Sequence, residues 1–266
     1  MRYMLKGLRS NSWTTYTGVA HLALFVLFAG LSLADSRTVD GVDNWFKPMK
    51  FALSIGVFAL TLSLLTPILL EWAREDKRRL RRVRLSSAVI SLMLWGEILF
   101  IGGQAARGVA SHFNIYTALD GAIYSAMGLM ILTSTVMTGL FAAPFFLESP
   151  DSLRLKPLLL SGIRWGFVLF FLGSIAGGVM SSMLTHSVGD AGLARIPFLG
   201  WSLTAGDIRL VHLAGLHGIQ VLPVLALLLS TRVALGRLLM AAYIGLFIGT
   251  VAITTVGISI ARLISV

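Results

Sequence analysis

Cysteine is absent from the sequence of 266 residues. Its absence excludes disulfides, thiolate metal sites, iron–sulfur clusters and cysteine nucleophiles, so His, Asp, Glu, Met or backbone groups have to hold any metal or cofactor. Charged residues are also scarce, at 13% of the chain against about 25% in soluble domains. Hydrophobic residues reach 56%, and the mean hydropathy is +0.84. The composition predicts an integral membrane protein with several transmembrane segments.

Specific catalytic signatures are missing as well. The sequence has no nucleotide-binding loop, no nucleophile elbow and no HExxH pair, and its last apolar run has no lysine for a retinal Schiff base. No catalytic residue is therefore assigned. No Pro/Gly/Ser-rich linker or low-complexity tract divides the chain, which predicts a single transmembrane helical domain over residues 1–266.

Seven apolar runs each have about the 20 residues that a bilayer core demands. A segment in lipid has to satisfy its backbone groups internally, so each run is predicted to be a helix. The predicted fold class is all-α, an integral membrane bundle of seven transmembrane helices. The predicted helices cover residues 12–34, 46–70, 85–106, 119–146, 158–185, 208–230 and 236–264.

Acidic residues are few, 12 against 22 Lys and Arg, and the formal net charge is +10. A cytoplasmic N-terminus puts 15 of the 22 basic residues into cytoplasmic segments, so the positive-inside rule predicts an extracytoplasmic C-terminus. The densest basic run, REDKRRLRRVR at residues 74–84, is interpreted as a solvated loop beside anionic lipid headgroups. The expected partner is the lipid bilayer, with no nucleic acid, and the expected location is a bacterial inner membrane.

The sixth run opens with a cluster of polar residues, in the segment GDIRLVHLAGLHGIQVLP at residues 206–223. At about 100° per residue, Arg209, His212, His217 and Gln220 fall on one helix face. Asp207 comes directly before them. A polar stripe of this kind can face the bundle interior while the leucines face lipid.

Polar side chains in other runs match this stripe in depth. From mid-membrane outward they are His21, Lys47, Lys50, Glu97, Gln104, Arg107, His112, Asn114 and Asp120. Together they predict a polar pocket that is open to the outer face and closed toward the cytoplasm. Residue counting at about 1.5 Å per residue places Glu97 and His217 at similar depth, so each is expected to be compensated by a contact with the other, by a ligand or by water.

Structural explanations compete with this pocket. A single histidine on a helix face usually packs through a hydrogen bond, and Lys or Arg side chains near helix ends snorkel to the interface. The Gly/Ser pattern of the fifth run, like Gly245 and Gly249 of the seventh, favours close helix packing and leaves an oligomer open. A charge at the bilayer centre costs about 2.5–3.5 kcal/mol, so ionisable groups there mark function by default. Glu97 and His217 therefore favour a functional site.

Two classes of function fit such a pocket. In the leading interpretation the protein is a haem- or metal-dependent redox protein with haem b or a divalent metal as cofactor. The ligands of that cofactor are drawn from His21, Glu97, His112, Asp120, His212 and His217. In the alternative it is a proton-coupled transporter or sensor for a small anionic solute, with Glu97 and His217 as titrating groups. The residues expected to bind the ligand are Lys47, Lys50, Gln104, Arg107, Asn114, Asp207, Arg209 and Gln220.

Three segments resemble those of bacterial polytopic membrane proteins that have no assigned activity. They are NWFKPMKF at residues 44–51, QAARGVASHFN at residues 104–114, and the polar segment at residues 206–223. The matching positions of the last two segments are Arg107, Ser111, His112, Asn114, Asp207, Arg209, His212, His217 and Gln220. The resemblance spans most of the chain and implies a seven-helix membrane protein, but it brings no function with it.

Overall fold

The computed structural model describes residues 12–189, 192, 194, 196 and 200–258. These residues form seven helices, each long and apolar enough to cross a membrane. The helices are α1 (Ser12–Ala34), α2 (Phe46–Trp72), α3 (Lys77–Arg107), α4 (Ala118–Leu147), α5 (Pro157–Met183), α6 (Ile208–Leu228) and α7 (Val233–Thr255). The predicted all-α class and the seven apolar helices are thereby confirmed.

The chain divides into two compact units, Met1–Leu147 and Glu148–Val266. Helices α1 to α4 build the first unit and α5 to α7 build the second. Among the described residues, each unit has one short pair of antiparallel strands. In the first, β1 (Thr38–Val39) pairs with β2 (Val42–Asp43), and in the second, β3 (Ser187–Val188) pairs with β4 (Gly206–Asp207).

Helix α3 begins two turns before the predicted start at residue 85. The cause is Asp76, whose side chain accepts hydrogen bonds from the backbone N–H groups of Arg78 and Arg79 and so caps the helix. The basic segment from Lys77 to Arg84 is therefore helical and not a loop. Its side chains project from one helix with fixed spacing.

Glycines let α1 and α2 approach closely in the first unit. A Cβ added to Gly18 would lie 2.6 Å from Cγ of Leu60, and one added to Gly56 would lie 2.9 Å from Cδ2 of Leu22. A hydrogen bond of 2.6 Å between the hydroxyls of Thr15 and Ser63 joins the same two helices. The connection to α2 is the β1–β2 hairpin, which turns through Asp40 and Gly41 with positive φ at both residues, as a tight two-residue turn requires.

The second unit has its closest contact between α5 and α6. A Cβ on Gly215 would lie 2.6 Å from Cα of Gly173, and one on Gly166 would lie 2.9 Å from the carbonyl oxygen of Gly218. Small residues permit such backbone approach between membrane helices. The predicted packing role is confirmed at Gly173 and Gly177, but no heavy atom of the described residues lies within 4 Å of a Cβ added at Gly178, Gly245 or Gly249. Helix α7 joins the unit through Tyr243, whose hydroxyl donates to the carbonyl of Ala214 at 2.7 Å.

Several helix ends differ from their predicted limits. Helix α5 ends at Met183 and is followed by Leu184 with a positive φ. Helix α7 ends at Thr255, followed by Gly257 with a φ of 73°, where the sequence predicted a helix as far as residue 264. The last six positions of that prediction, 259–264, lie outside the described residues.

Candidate functional site

The end of α3 and the start of α4 meet through a network centred on Asp120, whose side chain is 5% exposed. Its Oδ1 accepts from Nη1 of Arg107 at 2.7 Å and from Nε2 of Gln104 at 2.9 Å. Its Oδ2 accepts from the hydroxyl of Thr117 at 2.7 Å. The structure thus brings together Gln104, Arg107 and Asp120, as predicted, but the carboxylate already has three side-chain donors.

Thr117 was not among the predicted site residues, although the sequence contains a signal for it. Its hydroxyl accepts from the backbone N–H of Asp120 at 3.1 Å while Asp120 accepts from that hydroxyl. A Thr followed three residues later by an acidic residue, before an apolar run, is typical of a helix N-terminus. Thr117 therefore caps α4, and Asp120 accepts from the capping hydroxyl and pairs with Arg107.

The last turn of α3 receives further donors from the hairpin region. Asn44 donates its side-chain amide to the carbonyl of Ala105, and Nη1 of Arg37 donates to the carbonyl of Ala106 at 3.1 Å. Arg37 also pairs with Asp35 at 2.7 Å. Its hydrogen bonds hold the pKa of the Asp35 carboxyl well below its usual range. The sequence analysis did not predict this cluster, because its side chains donate hydrogen bonds to backbone carbonyls and no sequence motif identifies such acceptors.

His112 lies in the loop between α3 and α4, among aromatic rings. Its ring centroid is 5.2 Å from that of Phe51 and 6.0 Å from that of Tyr124, and its Nδ1 is 3.1 Å from the hydroxyl of Ser111. Burial and the positive charge of Lys47 hold the pKa of His112 well below its ordinary value. This histidine is accordingly neutral at physiological pH.

Two other residues predicted to bind ligand are Asn114, in this loop, and Lys50, in α2. Asn114 donates its side-chain amide to the carbonyl of Ala110 at 2.9 Å, which holds the turn after α3. Lys50 is half-buried in the first turns of α2, next to Lys47 in the same helix. The two lysines give this end of the first unit its positive charge.

His21 is fully buried in α1 and contacts α3. Its ring meets Trp95 edge-on with 4.8 Å between centroids. Nδ1 lies 2.7 Å from the carbonyl oxygen of Thr17; because a carbonyl only accepts, Nδ1 carries the proton and donates it. Nε2 is buried without a hydrogen-bond partner among the described residues.

Glu97 is 4% exposed in α3. Its Oε1 is buried and has no hydrogen-bond partner in the described part of the chain. A buried carboxyl oxygen without a protein donor is unusual, because burial of an unpaired polar group costs free energy. Of the predicted site residues, Glu97 and His21 are the two that carry such an unsatisfied atom.

In the second unit, Asp207 and Arg209 form a buried ion pair at the start of α6. Asp207 accepts from Nη2 of Arg209 at 2.6 Å, from Nε at 2.9 Å, and from the backbone N–H of Ser202 at 3.0 Å. Arg209 also donates to the carbonyl of Gly200. Burial alone raises the pKa of Asp207, but the hydrogen bonds and charge of Arg209 outweigh it and hold that pKa below its ordinary value. Both residues are engaged with each other and not presented to an anion.

The histidines of α6 are held by their neighbours. Nδ1 of His212 lies 2.7 Å from the carbonyl oxygen of Gly173 in α5, and Gly177 leaves room for the ring. Nδ1 of His217 lies 3.2 Å from Oε1 of Gln220, one turn along the same helix. A contact between His217 and Glu97 remains a prediction.

The predicted metal ligands do not form a metal site within the described residues. No group of three or more His, Cys, Asp or Glu side chains that could hold a metal ion occurs among them. The two acidic residues of the predicted set lie in different surroundings. Asp120 is in an ion pair, and Glu97 is buried.

Comparisons with known protein families, curated proteins and solved structures give no match for this chain. The functional argument therefore rests on the side chains and their surroundings.

Proposed function

We propose that this integral membrane protein is a proton-coupled carrier or sensor for a small anionic solute, with Glu97 as the group that takes up and releases the proton. One observation carries the proposal: Glu97 is 4% exposed, and its Oε1 has no hydrogen-bond partner among the described residues. A group that only stabilised the fold would be paired, as Asp120 and Asp207 are. An unpaired carboxyl inside a membrane span is typical of a proton site.

His21 supports this assignment from the same unit. Its ring contacts Trp95, which is two residues from Glu97 in α3 and so about 3 Å away along the helix axis. The two unsatisfied atoms, Oε1 of Glu97 and Nε2 of His21, thus lie at nearly the same depth. A charge at this depth costs about 2.5–3.5 kcal/mol, so a change in the protonation of Glu97 is coupled to the arrival of a counter-charge or water.

The anionic nature of the solute rests on the positive charges of Lys47 and Lys50, which are both half-buried in the first turns of α2. Lys47 lies near enough to His112 for its charge to lower the pKa of that histidine. An anion that binds beside Lys47 would ease the protonation of His112, which couples anion binding to a second proton.

A redox protein with haem b is the second candidate, favoured by His21 alone. An imidazole whose Nδ1 is held by a backbone carbonyl and whose Nε2 is free has the orientation of a metal-ligating histidine. An absorption spectrum and a metal analysis of the purified protein decide this point. A Soret band that is lost in His21→Ala establishes haem, and a spectrum without one removes this candidate.

The proton site is tested by infrared spectroscopy of the full chain in lipid. We expect a carboxyl band that titrates with pH in the wild type and is missing in Glu97→Gln. Glu75→Gln is the matched control, since it makes the same chemical change at an exposed position in the loop before α3. A spectrum in which Glu97→Gln removes no titrating band contradicts the proton role.

Coupling is tested in vesicles that contain a pH-sensitive dye. Gradients of acetate, lactate, phosphate or a small sulfonate are imposed across vesicles with wild-type protein or either variant. We expect at least one anion to drive proton movement in the wild type and in Glu75→Gln, and we expect Glu97→Gln to abolish it. Proton movement of equal rate in all three proteins would show that Glu97 has no part in coupling.

A further inference from the structure

A groove lies between the first turn of α1 and the first three turns of α3, with a volume of about 410 Å³. Trp13 of α1 forms one wall. The α3 wall carries three cations, Lys77, Arg81 and Arg84, and three apolar residues, Leu80, Leu85 and Ala88. The groove therefore combines a cationic end with an apolar end inside the first unit.

The α3 wall has this composition because α3 continues into the basic segment. Lys77, Arg81 and Arg84 are spaced at i, i+4 and i+7, which places them on one helix face. Ala88 continues the same face one turn further. Leu85 and Ala88 follow the three cations toward the membrane-spanning part of α3, which is the order of headgroup and acyl chain in a lipid.

The three cations of the groove form no ion pair within the part of the chain that the structure describes. The ion pairs of this segment join Arg74 to Glu71 and Arg79 to Asp76. Lys77, Arg81 and Arg84 have no ion pair with an acidic side chain of the described residues, and all three are exposed. Three positive charges are thus available beside an apolar surface that includes Trp13, 60% exposed.

We propose that this groove is a binding site for an anionic phospholipid, with its phosphate held by Arg81, Arg84 and Lys77 and an acyl chain along Leu85, Ala88 and Trp13. Arginine matches the geometry of phosphate oxygens through bidentate hydrogen bonds. Tryptophan is favoured at the level of lipid headgroups. Because three cations face one groove, a lipid with two phosphates is expected to bind more tightly than a lipid with one.

Charge argues against other occupants of the groove. Residues 1–11 contain Arg2, Lys6 and Arg9 and no acidic residue, so this segment has the same sign of charge as the groove. The groove of a second copy of the chain is equally basic. Since like charges repel at close range, an anionic lipid is the occupant that complements the groove.

Lipid binding is measured by native mass spectrometry of the full-length protein in detergent, titrated with cardiolipin, phosphatidylglycerol or phosphatidylcholine. The test variant replaces Lys77, Arg81 and Arg84 with Gln. The control variant replaces Arg74, Arg78 and Arg82 with Gln, which removes the same charge from the same segment outside the groove. All six positions are exposed or in a solvated turn, and circular dichroism checks that both variants fold.

We expect wild-type affinity to fall in the order cardiolipin, phosphatidylglycerol, phosphatidylcholine. The groove variant should lose affinity for cardiolipin on the order of 100-fold, because each cation beside an anionic lipid contributes about fivefold. The control variant should lose less than about fivefold, as expected for charges outside the site. Equal losses in the two variants would mean diffuse attraction and would overturn the proposal.

Two further measurements separate the lipid from other occupants. Inorganic phosphate alone should not displace cardiolipin, since it lacks the acyl chain; displacement at equal concentration would indicate a free-anion site and overturn the lipid assignment. A photoreactive residue in place of Leu85 should crosslink to lipid. A crosslink to residues 1–11 instead would show that the chain covers its own groove.

Discussion

The imidazole Nδ1 of His212 lies 2.7 Å from the carbonyl oxygen of Gly173, where α6 crosses α5. The ring fits there because Gly177, one turn further along α5, has no side chain. A Cβ on Gly177 would lie 2.9 Å from Cε1 of His212 and 3.1 Å from its Nδ1. The position of this histidine is therefore set by helix packing.

Gly177→Ala is predicted to displace the His212 ring and break its hydrogen bond to Gly173. Overpacking of this kind costs about 1–3 kcal/mol in free energy of unfolding. The measurement is unfolding in detergent, followed by circular dichroism. Gly178→Ala is the matched control, because no heavy atom of the described residues lies within 4 Å of an added Cβ there. That change should be neutral or stabilising by about 0.5–1 kcal/mol; equal destabilisation by both would refute the packing explanation.

The pair Arg107–Asp120 gives a second prediction. Asp120 accepts three side-chain hydrogen bonds and is buried, while the side chain of Arg107 is 43% exposed. Asp120→Ala should therefore destabilise the first unit more than Arg107→Ala, since it leaves Gln104 and Thr117 without their acceptor. A loss of about 1–3 kcal/mol is expected for Asp120→Ala.

A double-mutant cycle measures the coupling between these two residues. The double variant should lose less stability than the sum of the single variants, by about 0.5–3 kcal/mol. Strict additivity in thermal unfolding would mean that the 2.7 Å contact contributes no stability. Thr117→Ala offers an independent check on the cap, with an expected cost of about 1 kcal/mol.

The helices were predictable from the sequence because an isolated apolar segment in a bilayer has to satisfy its backbone hydrogen bonds internally, and an α-helix does so. Helix limits were less accurate. The start of α3 at Lys77 depends on the cap by Asp76. The high charge of the segment favours a solvated loop while the cap favours a helix, and the charge alone does not tell which effect is larger. The capping pair Thr117 and Asp120 could have been read from its spacing, but Asp120 was assigned to a cofactor instead.

The candidate site was predictable only as a set of residue types. Sequence reasoning placed Arg107, Gln104 and Asp120 at one level, and the structure brings them together. It did not show that Arg209 would form an ion pair with Asp207. The spacing of the two residues does not say whether the guanidinium pairs with this aspartate or with a bound anion. It also treated His21 and Glu97 as two candidates among many, whereas their unsatisfied atoms separate them from the rest.

The membrane orientation is a third prediction. In the segments assigned to the outer side, Arg37, Arg107 and Arg209 each have an aspartate partner within 2.7 Å. Of the seven cations of residues 74–84, six are exposed. The ion pairs of this segment join Arg74 to Glu71 and Arg79 to Asp76. The positive-inside bias therefore predicts a cytoplasmic signal for a reporter inserted near Lys77 and an extracytoplasmic signal for one fused after Val266. A cytoplasmic signal after Val266 would reverse the assigned sides.

The fourth prediction concerns the effect of pH on the first unit through His112. Burial, with the charge of Lys47, lowers the pKa of His112 in the folded protein, whereas an unfolded histidine titrates near its ordinary value of about 6.5. Below that pH, His112 binds a proton in the unfolded chain but stays neutral in the folded protein. Stability is therefore unaffected by His112 above about pH 6.5 and is lost as the pH falls below it, by up to about 1.4 kcal/mol per pH unit.

Thermal unfolding in detergent between about pH 8 and pH 5 measures this dependence. His112→Phe should flatten the acid limb, because phenylalanine keeps a ring between Phe51 and Tyr124 but has no proton to bind. Lys47→Gln should flatten it in part, since removal of the neighbouring charge lets the pKa of His112 rise toward its ordinary value. An acid limb as steep in both variants as in the wild type would show that another group controls the pH response, and that Lys47 and His112 are not coupled as the anion-binding proposal requires.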